Sequence, residues 1–445
     1  MTGGRPLSVG QEALWFLYRL MPASPMFNAT VGLRVHAAMD PELLRRAVDA
    51  TTRRHDMLRS AFHEGGAGPV RSIDDGRAPE LVIQHLDGAE PDSVREEATR
   101  VATRPFDLDV DAPFRFQLVE TAPDAVILVL TGHHIACDAT SQMLILADVL
   151  RNYAALGRGE QLSPAPVTGS FDNYAADERA WLDSDRGRRA RDYWRAVCRP
   201  VPAAHGLVTD RPRPAPAAAT FTSSSCEFSL RDDSGLRVNE AARSAGVTPF
   251  VFLFSLFQIL LAAETGDEDF LIGYVTSGRR RLAMRNVVGC FMNTLPYRAT
   301  LPDGTNLMSV LRTTAGHLDE ATVHGRFPFA LLPRLLGETR ADGAAPLVRY
   351  LFNYLPMKHF GEIGATLDEG RKVTEMSGLP ISGYRFTSQP GNYDLTLEIV
   401  HVRHLLRIKF KYRAELFDVS TVEELGERYL DILQAALKNT GKVSL

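Results

Sequence analysis

The stretch AVILVLTGHHIACDATSQMLILADVLRNY, residues 125–153, decides how the chain is read. The segment from Ala125 to Leu130 is apolar on both faces of an extended backbone, the pattern of a central strand covered from both sides. From Ala139 onward apolar residues return at helical spacing. A strand that runs through a short loop into a helix is the building unit of a mixed α/β protein. His133 and His134 fall on that loop, and Asp138 follows four residues after His134. At a domain junction one imidazole could point into a cleft while its neighbour turns back into the protein. A neutral imidazole can take a proton from, or orient, an attacking amine or hydroxyl near pH 7. Asp138 is better placed to hold the loop than to react. Adjacent histidines also serve as core or capping residues, so HHxxxD by itself divides between the two readings. A metal site would need a third donor, and neighbouring side chains on extended backbone point apart. No GxSxG elbow occurs, which argues against a Ser-His-Asp hydrolase.

Outward from this stretch, 445 residues exceed the size at which one core usually stops growing, so two domains of about 200 residues each are expected. The composition, 45% hydrophobic and 23% charged, is that of an ordinary globular protein. A net charge of -4 gives no reason to expect nucleic acid or an anionic membrane as partner. Lysine is scarce beside arginine and alanine is abundant, a bias expected of a GC-rich bacterial genome such as an actinomycete's. Cys137, Cys198, Cys226 and Cys290 have neither CxxC nor Cys/His spacing, which argues against zinc and against a disulfide framework and fits a reducing cytoplasm. The N-terminus shows no secretion signal. FVFLFSLFQILLAA, residues 250–263, is shorter than the ~20 residues of a membrane span and reads as a buried core helix.

The Pro- and Ala-rich stretch 199–220 separates two halves that repeat a mixed strand and helix order. The expected division is an N-terminal half, 1–170, carrying the histidines, a connecting helix and crossover, 171–220, and a C-terminal half, 221–445. Helices are expected over QEALWFLYRL, PELLRRAVDATTRR, DSVREEATRVA, 139–156 and 171–197, and strands over TVGLRVHA, ELVIQHL, PFRFQLVE and AVILVLT. The second half adds strands around CEFSL, DFLIGYVT, LVRYLFNYL, YDLTLEIV and LLRIKFKY. It closes with a helix that Thr421 and Glu424 would open as a capping box. Two such halves suggest a pseudo-dimer, with a cleft between them as the default ligand site.

HHxxxD resembles the core motif of the condensation domains of nonribosomal peptide synthetases, a family similar in turn to chloramphenicol acetyltransferase. LSVGQEALWFLYRLMPASPMFNA (7–29) resembles the family's opening motif and RRHDMLRSAF (53–62) its RHExLRTxF motif. FDNYAADERAW (171–181) and LVTDRPRP (207–214) resemble the segments joining the halves. VVGCFMNTLPYR (287–298) is similar to GxFVNT, HGRFPFALL (324–332) to HxDxPFExL and PLVRYLFNY (346–354) to PLFxVMFNY. Several motifs in the family's order, over nearly the whole chain, are far more specific than any one.

The resemblance implies two chloramphenicol acetyltransferase-like subdomains in a V shape, with the active site in a tunnel between them. It implies that His134 is the active-site residue, as general base or as orienter of the nucleophile, and that His133 is structural. Asp138 would form a buried ion pair with Arg59, a pairing suited to bidentate Arg–carboxylate geometry. Gly289 and Asn293 would line a strand bridging the substrate channel; a loop hydrogen bond is an equal reading for Asn293. Most arginines of SGRRRLAMR (277–285) would form a solvated face, while Arg279 matches the family's GR and could do more. Trp15, Trp181 and Trp194 read as packing residues. The implied reaction joins an acyl thioester, carried on the 4'-phosphopantetheine of a peptidyl carrier protein, to a small-molecule amine or hydroxyl. The resemblance implies no bound cofactor, no metal and no need for ATP.

Three departures qualify the match. Ala139 stands where most members have glycine after the aspartate, which could crowd substrate near the histidine. HGRFPF lacks the acidic residue of its motif, and ETRADGAAPLV (338–348) is irregular. No carrier serine motif or adenylation signature accompanies the domain. The expectation is therefore a free-standing condensation enzyme working on a carrier supplied in trans, among relatives that include ester formers acting on enediyne-type cores. The runner-up readings are an acyltransferase dependent on coenzyme A or a polyketide, and a catalytically silent docking module.

Overall fold

The computed structural model describes residues 4–162, 167–202, 205–214, 222–230, 233–337, 347–366, 373–384, 386 and 393–438. Parts of the crossover, most of 338–348 and the end of the chain lie outside them. In chain order the elements are β1 (Arg5–Pro6), α1 (Val9–Leu20), β2 (Asn28–Val35), α2 (Pro41–Arg54), β3 (Ser60–Gly65), β4 (Gly68–Ile73), β5 (Glu80–His85), α3 (Pro91–Ala102), β6 (Phe114–Ala122), β7 (Ala125–His133), α4 (Ala139–Gly157) and α5 (Phe171–Asp183). After α6 (Asp185–Cys198) come β8 (Ser223–Ser229), α7 (Ser234–Ser244), α8 (Pro249–Thr265), β9 (Asp269–Thr276), β10 (Asn293–Thr300), α9 (Leu307–His324), α10 (Leu332–Leu336) and β11 (Tyr350–Pro356). The chain ends with α11 (Gly361–Thr366), β12 (Thr374–Met376), β13 (Leu379–Tyr384), β14 (Leu395–His401), β15 (Leu406–Arg413) and α12 (Val419–Lys438).

These elements form a mixed α/β fold of two compact units, and the division differs from the expected one. The first unit holds residues 1–180, 279–292 and 357–389, and the second holds 181–278, 293–356 and 390–445. The expected connecting segment 171–220 is no separate body, since α5 starts in the first unit and α6 belongs to the second. Two stretches from the far half of the sequence also pack with the first. One contains β13, whose Ile381 and Ser382 pair antiparallel with Val35 and Arg34 of β2. Hydrophobic alternation marks a strand but does not say whose edge it will join.

Each unit is built on a six-stranded sheet, β12-β13-β2-β7-β6-β5 in the first and β10-β9-β11-β14-β15-β8 in the second. Four strands repeat. β2-β7-β6-β5 and β8-β15-β14-β11 each run antiparallel, antiparallel, parallel along the row. In both the second strand of the row leads straight into a long helix, α4 or α12.

The apolar segment at 250–263 forms most of α8. Thr248 accepts the Val251 N–H at 3.2 Å, Pro249 supplies a preset φ, and Gly266 ends the helix at φ 68°. Val251 through Leu261 are all buried, which is why the helix has no polar stripe. Burying each Phe or Leu stabilises by about 1.5–3 kcal/mol. Ser255, Gln258 and the Tyr297 hydroxyl all meet the Thr314 hydroxyl, at 3.1, 3.1 and 3.3 Å, so the buried polar groups are satisfied. Among the described residues no single helix is long and apolar enough to cross a membrane. The closing helix begins at Val419, so Thr421 lies inside its first turn and donates to Asp210 at 3.0 Å rather than capping it.

Candidate active site

β7 carries the apolar run to His133, opposite Asn28 of β2. The next residue leaves the strand: His134 N–H donates to Phe27 O at 2.7 Å, and Ala136 N–H closes a turn on His133 O at 2.9 Å. Asp138 then caps α4, accepting the Ser141 N–H at 2.8 Å. The histidines thus sit at the point where a central strand hands over to a helix.

The two imidazoles have opposite surroundings. His133 is buried, faced by the rings of Tyr18, Phe27 and Phe106, and its Nδ1 accepts the Ile135 N–H at 3.2 Å. Burial, reinforced by the charge of His134, pushes its pKa down to about 3, so it is neutral near pH 7. His134 is half-buried, and its Nδ1 lies 3.1 Å from the Cys137 carbonyl. A carbonyl can only accept, so Nδ1 carries a proton, and in the neutral ring the lone pair then falls on Nε2.

Asp138 is 5% exposed and does not work through either imidazole. Its Oδ1 accepts from Ser141 N and Oγ and from Arg279 Nη2, each at 2.8 Å, and its Oδ2 accepts the Phe291 N–H at 3.2 Å. This corrects the expected pairing with Arg59. Arg59 instead donates from Nε to Thr52 O at 3.1 Å and pairs with the exposed Asp75. Arg279 takes the place beside Asp138. Its Nη1 donates to Met284 O and Val287 O at 2.9 and 2.6 Å, and its guanidinium lies 4.1 Å from the centre of the Phe291 ring. The partner is thus an arginine 141 positions away, which no local spacing reveals. The RRHDMLR motif grips the same helix further along: Arg54 and His55 reach Asp148 of α4 at 3.1 and 2.7 Å. Burial alone would raise the Asp148 pKa, but the His55 hydrogen bond and the charges of His55, Arg54 and Arg151 bring it below the usual range.

Ala139 is the first residue of α4 in ordinary helical backbone, and it is absent from the positive-φ positions, so alanine fits without strain. Gly289 is gripped by Ser141, whose Oγ lies 3.0 Å from its N and 2.8 Å from its O. A Cβ on Gly289 would come within 2.1 Å of the Phe171 ring, so only glycine permits that ring to lie there. Asn293 belongs to the second unit, where its Nδ2 donates to Phe327 O at 2.8 Å and its Oδ1 accepts the Phe329 N–H at 3.0 Å. That is the loop hydrogen bond anticipated as one of its two readings. Trp15 and Trp194 are buried, as packing residues should be, and Arg326 stacks 4.9 Å from the Trp181 ring.

Sequence reasoning missed Ser141 and Gln11. Ser141 had a signal, lying three residues after an N-cap aspartate where hydroxyls close caps. Gln11 donates to Ile135 O at 2.8 Å from a helix more than a hundred residues earlier. The four cysteines are buried thiols; burial holds those of Cys137 and Cys290 protonated. Among the described residues no group of three or more His, Cys, Asp or Glu side chains could hold a metal ion.

The family model described as Condensation domain matches residues 1–443. Phosphinothricin tripeptide synthetase PhsC of Streptomyces viridochromogenes is 30% identical over 99% of the chain, which covers 40% of that protein. Tyrocidine synthase 2 of Brevibacillus parabrevis is 29% identical over 98% of the chain, which covers 12% of it. The chain therefore spans well under half the length of these relatives. Among solved structures, the starter condensation domain of rhizomide synthetase RzmA, in a complex with C8-CoA, superposes with a TM-score of 0.84 at 22% identity, over 100% of this chain and 98% of that one. SgcC5 of Streptomyces globisporus does so with a TM-score of 0.79 at 23% identity, over 98% and 99%.

Proposed function

The chain belongs to the condensation-domain family, whose members are acyltransferases that form amide or ester bonds and need no cofactor of their own; we propose that it joins an acyl thioester on a carrier protein's phosphopantetheine arm to an amine or hydroxyl acceptor, with His134 handling the proton. The observation that carries this reading is the bond from His134 Nδ1–H to Cys137 O, which presents Nε2 as the acceptor nitrogen. In the proposed step Nε2 takes the proton as the amine or hydroxyl attacks the thioester carbonyl. The tetrahedral intermediate then collapses, releasing the phosphopantetheine thiol with the proton returned to sulfur. His133, held neutral in its aromatic surroundings, gives the turn its shape. Asp138, with both oxygens engaged, locks the start of α4 through Arg279 and Ser141. The remainder of the rate enhancement would come from holding donor and acceptor together.

The test follows transfer by mass spectrometry from aminoacyl donors on a separately supplied carrier protein and on coenzyme A. Acceptors are mixed amines and alcohols, including polyhydroxylated natural-product cores. Product from the carrier-bound donor that disappears in His134→Ala supports the reading and shows whether amide or ester is made, and that the carrier works in trans. Product only from coenzyme A would replace it with a coenzyme A-dependent acyltransferase. No histidine-dependent product from a folded protein would favour a docking module.

A further inference from the structure

The turn bearing His134 is held from α1 by a side chain to which no part of the proposed reaction assigns a role. Gln11 is 1% exposed, its Nε2 donates to Ile135 O at 2.8 Å, and its Oε1 accepts the Ser8 N–H at 3.2 Å. Ser8 Oγ in turn accepts the Gln11 N–H at 3.2 Å, so the amide is one half of the α1 capping box. These two bonds fix which end of the amide faces the turn. Ionised glutamate has only acceptors, lysine only donors and methionine no useful donor, so an amide of this length serves both ends at any pH.

The Ile135 carbonyl is part of the turn between His134 and Cys137. Holding it fixes the peptide plane that leads to the Cys137 carbonyl, and that carbonyl is what the His134 Nδ1–H meets. We propose that Gln11 is a positioning residue for His134: by anchoring Ile135 O it keeps Cys137 O in place and so keeps the imidazole in the Nδ1–H tautomer, with the lone pair on Nε2. The inference rests on the reading of His134 as the proton-handling residue, but its effect on the tautomer can be measured without any acyl transfer. A second buried amide serves as control. Gln142 Nε2 donates to Ala29 O at the same 2.8 Å, so this side chain ties α4 to β2 rather than to the Ile135 carbonyl, while the backbone bond of Gln142 to Asp138 O survives the substitution.

The experiment compares wild type, Gln11→Met, Gln11→Glu and Gln142→Met. Nitrogen-15 spectra of the histidine rings, assigned with His134→Ala, report the tautomer, steady-state kinetics give kcat and KM, and circular dichroism checks the fold. Gln11→Glu, studied at a pH where the carboxyl is ionised, keeps an acceptor for Ser8 and loses the donor to Ile135 O, so it decides the matter should Gln11→Met not fold. The expected result is a His134 ring that shifts from Nδ1–H to a tautomer mixture in the Gln11 variants alone. A fall in kcat of roughly tenfold to a hundredfold is expected with it, at a KM within about twofold of wild type. An unchanged His134 tautomer in a folded Gln11 variant, or an equal shift in Gln142→Met, would overturn the proposal. A wild type that shows the tautomer yet transfers no acyl group from any donor would sink the functional reading instead, leaving the positioning result to stand or fall on the spectra.

Discussion

The strand–turn–helix at His133–Asp138 has a counterpart in the second unit at Arg413–Asp418. Two backbone bonds correspond. His134 N–H to Phe27 O answers to Ala414 N–H to Thr222 O, and Ala136 N–H to His133 O answers to Leu416 N–H to Arg413 O. The partner strands match as well, Asn28 opposite His133 and Ser223 opposite Arg413. What differs is the chemistry laid on the shared backbone. At the buried first position stands a neutral histidine in one turn and an arginine paired with Glu415 in the other. At the second stands His134 in one and Ala414 in the other. Asp138 is 5% exposed and tied to the buried Arg279, whereas Asp418 is exposed and tied to the half-exposed Arg211. Backbone geometry alone therefore does not make a site. The first turn differs in carrying a titratable ring whose tautomer its own backbone sets.

That comparison can be broken most directly at the second position. His134→Ala is expected to lower transfer by about 10²–10⁴-fold, the range of a lost proton-transfer group, and Ala414→His to add nothing. Activity gained in Ala414→His, measured in a His134→Ala background, would mean that the turn alone suffices. The aspartates come next. Arg279→Met leaves a buried carboxylate without its cation and should cost about 3–5 kcal/mol in urea unfolding. Arg211→Met should cost less than about 1 kcal/mol, because its pair with Asp418 is open to water. Equal losses would show that burial does not separate the two turns.

The first position gives a pH test. The His133 pKa is about 3 in the folded protein and near 6.5 unfolded. The unfolded chain therefore takes up a proton that the folded one refuses between those values. Stability should fall with decreasing pH through that window, with this residue contributing up to about 1.4 kcal/mol per pH unit. The slope between pH 6 and 4 should be shallower by that amount in His133→Asn. An unchanged slope would mean that His133 takes up its proton while folded. A similarly small effect is expected at Arg59. Its displaced role leaves it an exposed pair with Asp75, so Arg59→Ala should cost under about 1 kcal/mol plus the bond to Thr52 O.

Much of this was legible in the order of residues. The apolar run before His133 and the helical spacing after Asp138 give the strand, loop and helix, because these periodicities are local properties of the chain. The ordered motifs pointed to the condensation family without any contact being known. Which cation meets Asp138 was not legible: Arg59 and Arg279 are chemically equal candidates, and only packing brings the second against the carboxylate and the Phe291 ring. Neither β13 nor its pairing with β2 was among the sequence expectations, since the partner of an edge strand lies more than three hundred residues away. The sequence by itself determined the strand, loop and helix of residues 125–156 and the presence of two histidines at the strand end. Tertiary structure alone decided that His133 is buried and neutral, because the rings of Tyr18, Phe27 and Phe106 that enclose it come from residues distant along the chain.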